Sequence, residues 1–344
     1  MRSQPSSMKL TIPYGLFLIL SILFSGCRKK NQCIPAPDIS GIHIDLTIER
    51  VDRELMDART REDLSKVLKN HKIFSEMFLY ESQYPSDSLF YNHIYSLFRD
   101  TGIDTLYREI HRVFGDLSDI RSEFEDAFKR LTVFYPGYRI PKIEIVISGI
   151  SKDMYVSDSL IILGLDFYLG NGAKYRPNDI PEYMLKRYQK RNLVPNTFLF
   201  ISEAFNRMDH NDRTLLADML FYGKSFQFAK QMLPCVPDSA FLGYSPKEMN
   251  DIYESQEVIW ASFIENQVLF TTDKSLKDKF ISERPHTFEI GQNCPGRIGR
   301  WVGWEIVKSY LSRNADVSIS AFMNNSVSQD IFVKSKFKPH NRRY

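Results

Sequence analysis

Ser202-Glu203-Ala204-Phe205-Asn206 comes nearer to a catalytic spacing than any other stretch of this sequence. Zinc-dependent hydrolysis is often built on a helix reading His-Glu-x-x-His. Its two imidazoles lie one turn apart and hold the metal, and the glutamate is the general base. Here Glu203 has the place of the base, but serine and asparagine stand where the histidines would be. The seven histidines, His43, His71, His93, His111, His210, His286 and His340, share no metal-ligand spacing. Each reads as a partly buried or solvated side chain rather than a ligand. No G-x-S-x-G elbow, Walker loop or Rossmann glycine set occurs. Neither metal nor cofactor is expected.

The N-terminus carries a different chemistry. Arg2 and Lys9 precede an apolar run from Leu16 to Phe24, which ends at Ser25-Gly26-Cys27. That is the plan of a signal peptide, with an apolar core too short for an ordinary spanning helix. Small residues followed at once by cysteine look like a bacterial lipobox, so residues 1–26 are expected to be removed and Cys27 acylated. More than one acyl chain would hold the protein firmly on a membrane. Removing Arg2 and Lys9 leaves 43 basic against 42 acidic side chains, a balance that excludes general attraction to nucleic acid. Arg28-Lys29-Lys30 follows the anchor, and residues 27–41, with their prolines and glycine, read as a tether. Beyond it Cys33, Cys235 and Cys294 form no C-x-x-C pair. Cys235 and Cys294 can bridge if the fold brings them together, but isolated thiols are the expectation.

Positioning elements follow from periodicity. Ile44, Leu46 and Ile48 alternate with polar residues and begin residues 42–55 as a strand. Helical spacing governs 86–100, 103–116 and 117–136, the last with Ser118 as its cap. Strands are expected over 142–148, 153–158 and 159–165, with a turn at Asp158-Ser159 and the order of a meander. Helices return over 181–190, 198–208, 212–233 and 245–266, the last opened by a capping box of Ser245 and Glu248. Residues 42–344 are thus one α+β domain, mostly α: a helical N-terminal half, a sheet of three to four strands and a helical C-terminal half. Glu203 is expected to find a hydrogen-bonding partner within its packed helix. In residues 298–311, Gly299 and Gly303 lie one turn apart, which lets a neighbouring element approach closely, and Trp301 and Trp304 fill the volume beside it. Arg297 and Arg300 either pair with acids or reach into a groove.

GLDFYLGNGAKYRPNDIPEYMLKRY (164–188) and CPGRIGRWVGWEIVKSYL (294–311) resemble the signature blocks of the GldB family of gliding-motility lipoproteins of Bacteroidetes. IHIDLTIERVDREL resembles the opening strand of that family, and SVSQDIFVKSKFKP (326–339) its C-terminal end. The family is in turn remotely similar to predicted zinc peptidases of the gluzincin type, in which a second helix supplies the third ligand through a Glu-Gly pair. That similarity puts Ser202 and Asn206 on the histidine positions, Glu203 on the base and Tyr222-Gly223 on the Glu-Gly. All three metal donors are then replaced by side chains zinc does not favour, and Glu203 has no metal to acidify its water. The resemblance implies a non-catalytic envelope lipoprotein, a pseudo-peptidase acting through protein partners in gliding motility and associated secretion. A peptide- or glycan-binding module, or a residual hydrolase using Glu203, are the alternatives. The acidic stretch resembling a surface-export signal in such lipoproteins is absent, so the domain is expected to face the periplasm.

Overall fold

A computed structural model describes residues 33–339; the expected signal peptide and Cys27 lie outside the described residues. The alternation that starts at Ile44 yields only a three-residue strand, β1 (Ile48–Arg50). It ends early because Val51 opens a helix, α1 (Val51–Asp57), which buries Val51, Asp52 and Leu55. Next come α2 (Arg61–Asn70), begun by a Thr60/Asp63 capping box, and α3 (Lys72–Phe78). Three helices stand where the spacing places them: α4 (Asp87–Leu97), α5 (Thr101–Phe114) and α6 (Ser118–Phe134). Ser118 is the first helical residue of α6 rather than its cap. The cap position is Leu117, left-handed at φ 68°, and the Ser118 N–H goes to Asp116 Oδ1 at 2.9 Å.

The sheet adds β2 (Lys142–Val146), β3 (Met154–Val156) and β4 (Leu160–Gly164). Its order is β1-β2-β4-β3, with β2 parallel to both β1 and β4 and only the β3–β4 pair antiparallel. This is not a meander. After β2 the chain passes to the edge, forms β3, turns at Asp158-Ser159 and returns as β4 beside β2. Burial explains the order. All five residues of β4 and four of the five in β2 are buried, as central parallel strands require, whereas β3 keeps Tyr155 and Val156 half-buried at the edge. Asp166 secures the turn after β2, accepting from the N–H groups of Ser148 (3.0 Å) and Ile150 (2.7 Å). Gly149 and Ile150 are both at positive φ there.

The C-terminal half begins with a single turn, α7 (Glu182–Leu185), preceded by Pro181, where a ten-residue helix was expected. Helix α8 (Leu193–Glu203) starts and stops five residues before the expected 198–208. Helix α9 (Leu215–Met232) is buried nearly all round, the mark of a central helix. After it come α10 (Asp238–Leu242), α11 (Pro246–Glu254), α12 (Gln256–Glu265), α13 (Lys274–Ile281), α14 (Ile298–Arg313), α15 (Ile319–Asn324) and α16 (Ser328–Ser335), of which α10, α13, α14, α15 and α16 pack against α9. The expected helix over 245–266 is two, broken at Ser255, and its Ser245/Glu248 capping box forms. Helix α14 crosses α9 where two glycines meet. A Cβ at Gly303 would run into the Met219 carbonyl, and one at Gly223 would lie 2.5 Å from the Gly303 oxygen. Trp304 seals the crossing by donating Nε1–H to Gln227 Oε1 at 3.0 Å. The fold is α+β and mostly helical, as its periodicities imply.

Two readings of the sequence need correction. Cys33 and Cys235 are disulfide-bonded, and Cys294 is the free thiol, pushed up to about 12 by burial. Isolated thiols therefore describe Cys294 alone, and Cys235 does not bridge to it. Of the expected tether, the described residues from Ile34 to Ile39 also engage the fold. The Ile34 N–H donates to the Pro234 carbonyl at 3.2 Å, and Ile34, Pro37 and Ile39 are half-buried.

Candidate functional site

Glu203 is the last residue of α8, and the chain then tightens. The N–H groups of Ala204 and Phe205 reach the carbonyls of Ile201 (3.3 Å) and Ser202 (3.0 Å). Asn206 lies beyond the helix, yet its N–H still donates to the Ser202 carbonyl at 3.0 Å, so positions 202 and 206 keep their one-turn relation. Phe205 directs this turn inward, with ring centroids 4.3 Å from Tyr135 and 5.1 Å from Phe228. Asn206 follows it and donates Nδ2 to the Phe221 carbonyl (2.8 Å) and to Ser225 Oγ (3.0 Å), both on α9. Ser202 is buried and donates its hydroxyl to the Leu199 carbonyl of its own helix.

Tyr222 does not join this group. Its ring lies 3.9 Å from the Arg300 guanidinium of α14. At about 100° per residue, Tyr222 sits roughly 60° around α9 from Ser225, on the flank toward α14. Ser225 is the α9 side chain that meets Asn206. Glu203 is exposed and makes no hydrogen bond among the described residues, contrary to expectation, because the helix ends on it and turns it outward. Partial desolvation raises its carboxyl pKa. It borders an open cleft of about 410 Å³, lined also by Asn206, Arg207, Met208, His210 and Phe221. Asn206 Oδ1 is buried there without a hydrogen-bond partner.

A second cluster forms where the segment after α7 meets the start of α14. Arg187 grips Glu283 with both terminal nitrogens, at 3.0 and 2.9 Å. Arg297 Nε and Arg300 Nη1 reach the same carboxylate at 3.4 and 3.6 Å. Arg297 also donates to the Leu242 carbonyl and Arg300 to the Ile281 carbonyl, each at 2.8 Å. Tyr244 and Tyr222 offer ring faces to Arg297 and Arg300. Burial lowers both pKa values, that of Arg297 to about 10. The arginines of residues 164–188 and 294–311, far apart in sequence, thus converge on one acid.

The model of the family described as gliding motility protein GldB matches residues 32–339, which include every described residue. The chain belongs to the GldB family. No curated protein and no solved structure matches it. Membership makes it a gliding-motility-related protein, as the two blocks and the opening and closing segments imply. Among the described residues of this GldB-family chain, no helix is long and apolar enough to cross a membrane.

Two buried polar groups escaped the sequence reading. His71 Nδ1 lies 2.9 Å from Glu144 Oε1, and its Nε2 lies 3.5 Å from Glu54. Lys142 Nζ bridges Glu49 (3.0 Å) and Glu144 (2.8 Å). Oxygen and nitrogen atoms of Glu49, His71 and Glu144 fall within 4.8 Å of one another, close enough to hold a cation. The Lys142 ammonium already stands between the two carboxylates. Donating a hydrogen bond to the Glu144 carboxylate raises the His71 pKa. Burial pushes the Glu144 carboxyl up, but His71 and Lys142 outweigh it and hold the carboxyl below its ordinary range. One signal was available in the sequence: Glu144 interrupts the apolar strand KIEIV. Lys224 gave none. It is fully buried in α9 and donates Nζ to the carbonyls of Arg207 (2.6 Å) and Asn325 (2.8 Å).

Proposed function

We propose that this protein is a non-catalytic envelope lipoprotein that works through protein contacts and carries a peptidase-like site without a metal. One observation carries the reading: the side chains at the three would-be ligand positions turn to three different partners and do not converge on a common centre. Ser202 bonds its own helix, Asn206 bonds α9, and Tyr222 stacks on Arg300. None of the three is a good zinc donor, and Glu203 without a metal lacks the acidified water it would deprotonate. Metal analysis and peptide-hydrolysis assays on the purified soluble portion, with Glu203→Gln in parallel, test this. No stoichiometric zinc and no activity difference are expected. Stoichiometric zinc, or hydrolysis lost in Glu203→Gln, would put the hydrolase first. Crosslinking in native envelopes tests the protein contacts: a discrete complex larger than the monomer is expected, and monomer alone counts against them.

Acylation of Cys27 is part of the proposal. Only six residues lie between it and Ile34, where the fold has begun, and seven chain steps reach at most about 25 Å. The domain would then work close to a membrane, on its periplasmic side.

A second reading, a peptide-binding module, is favoured by the cleft beside Glu203. The unpaired Asn206 Oδ1 is an acceptor that a peptide N–H could satisfy. Saturable binding of a peptide library that is lost in Asn206→Leu would move this reading ahead.

A further inference from the structure

We propose that Arg187, Arg297 and Arg300 form a binding site for an oxyanion, the phosphate or carboxylate group of a ligand. The argument begins with a charge imbalance. Three guanidinium groups share one carboxylate, and Glu283 is fully gripped by Arg187 through two parallel hydrogen bonds. Arg297 and Arg300 reach that carboxylate only at 3.4 and 3.6 Å, so its charge is divided while their own remains largely unanswered. The nearby charges offer no relief. Lys186 is paired with Glu248 at 2.7 Å and Arg284 with Glu289 at 3.0 Å. The carbonyls of Leu242 and Ile281 and the two tyrosine rings hold the guanidiniums in place but carry no net negative charge.

Burial makes the imbalance costly, since excess charge withdrawn from water is tolerated only when it is matched. The side chains of Arg297 and Arg300 are 8 and 14 % exposed. The start of α14 adds to the positive field: it has neither a side-chain cap nor an acidic residue in its first turn. Glu283 is about one-third exposed, so the cluster opens to solvent on its side. An oxyanion entering there meets planar donors whose fork suits phosphate and carboxylate alike. Glu283 then acts as an internal competitor for the site.

That competition gives the test its sign. Inorganic phosphate and succinate are titrated separately, at matched ionic strength, into the purified soluble portion, with binding read by calorimetry and by thermal shift. Saturable binding of either supports the site and names its class. Glu283→Gln keeps the side-chain shape and removes the competing charge, so it should tighten binding about tenfold, while Arg300→Gln should weaken it by a similar factor. No saturable binding of either anion by the wild-type protein or by Glu283→Gln overturns the proposal. So does binding that Arg300→Gln leaves unchanged. Should Arg300→Gln fail to fold, Glu283→Gln decides alone: tighter binding supports the site, and unchanged or weaker binding refutes it.

Discussion

Lys224 lets the energetics of this half of the molecule be tested with one substitution. Its ammonium is fully buried and, among the described residues, pairs with no carboxylate; it meets the carbonyls of Arg207 and Asn325, Met208 Sδ at 3.9 Å and, at 5.9 Å from its centroid, the Phe322 ring. Burial lowers its pKa from 10.5 to about 8, which corresponds to roughly 3 kcal/mol against the charged folded state at neutral pH. Lys224→Met removes that cost. It also removes two charge-assisted hydrogen bonds, worth about 1.5–3 kcal/mol each, and leaves both carbonyls without their donor. The net effect at pH 7 is a loss of roughly 0–3 kcal/mol. The pH dependence is sharper. Between its folded and unfolded pKa values Lys224 holds fewer protons folded than unfolded, so wild-type stability rises with pH, by about 2 kcal/mol from pH 7 to 9.5. Lys224→Met lacks this contribution, so the stability difference between the two proteins should widen by that amount. Urea unfolding at the two pH values measures it directly, and subtracting the mutant cancels every other titrating group. A difference constant to within about 0.5 kcal/mol would show that the ammonium is not desolvated as its burial implies. Arg207 and Met208 line the cleft beside Glu203, so the same measurement reports what holds that wall.

Gly303→Ala should cost about 3 kcal/mol or more, because its Cβ meets the Met219 backbone rather than a movable side chain. Gly172→Ala, which meets nothing, should stay within about 0.5 kcal/mol by the same unfolding assay. The raised pKa of His71 means its ion pair stabilises fully below about pH 6.5 and loses that contribution as pH rises through the folded value. His71→Gln should therefore destabilise more at pH 5.5 than at pH 8.5, and equal losses would contradict the pairing with Glu144. Cys27→Ala should abolish labelling by radioactive palmitate and leave an unprocessed precursor on gels; label still entering the mutant protein would exclude Cys27 as the acyl acceptor.

The elements that were legible share one property: their pattern is local. Helices α4, α5 and α6 have apolar residues at helical spacing, and the Ser245/Glu248 capping box needs only four consecutive residues. Gly299 and Gly303 announced a close approach without naming the partner, which proved at Gly303 to be Met219 of α9. Misreadings arose where a remote contact overrode the local pattern. The periodicity of 198–208 is interrupted because Phe205 is drawn toward Tyr135 and Phe228, and the helix ends at Glu203.

By itself the sequence determined the α+β class, the places of helices α4, α5, α6 and α9, and the family, since these depend on residue type and short spacing. Only the tertiary structure decided that β4 lies beside β2, that Tyr222 turns to Arg300 while Ser225 meets Asn206, and that three arginines share Glu283. The physical reason is common to all three. Strand order, the engaged face of a buried helix and the pairing of buried charges are settled by burial and hydrogen bonding between segments tens to more than a hundred residues apart. Chain periodicity carries no record of such partners.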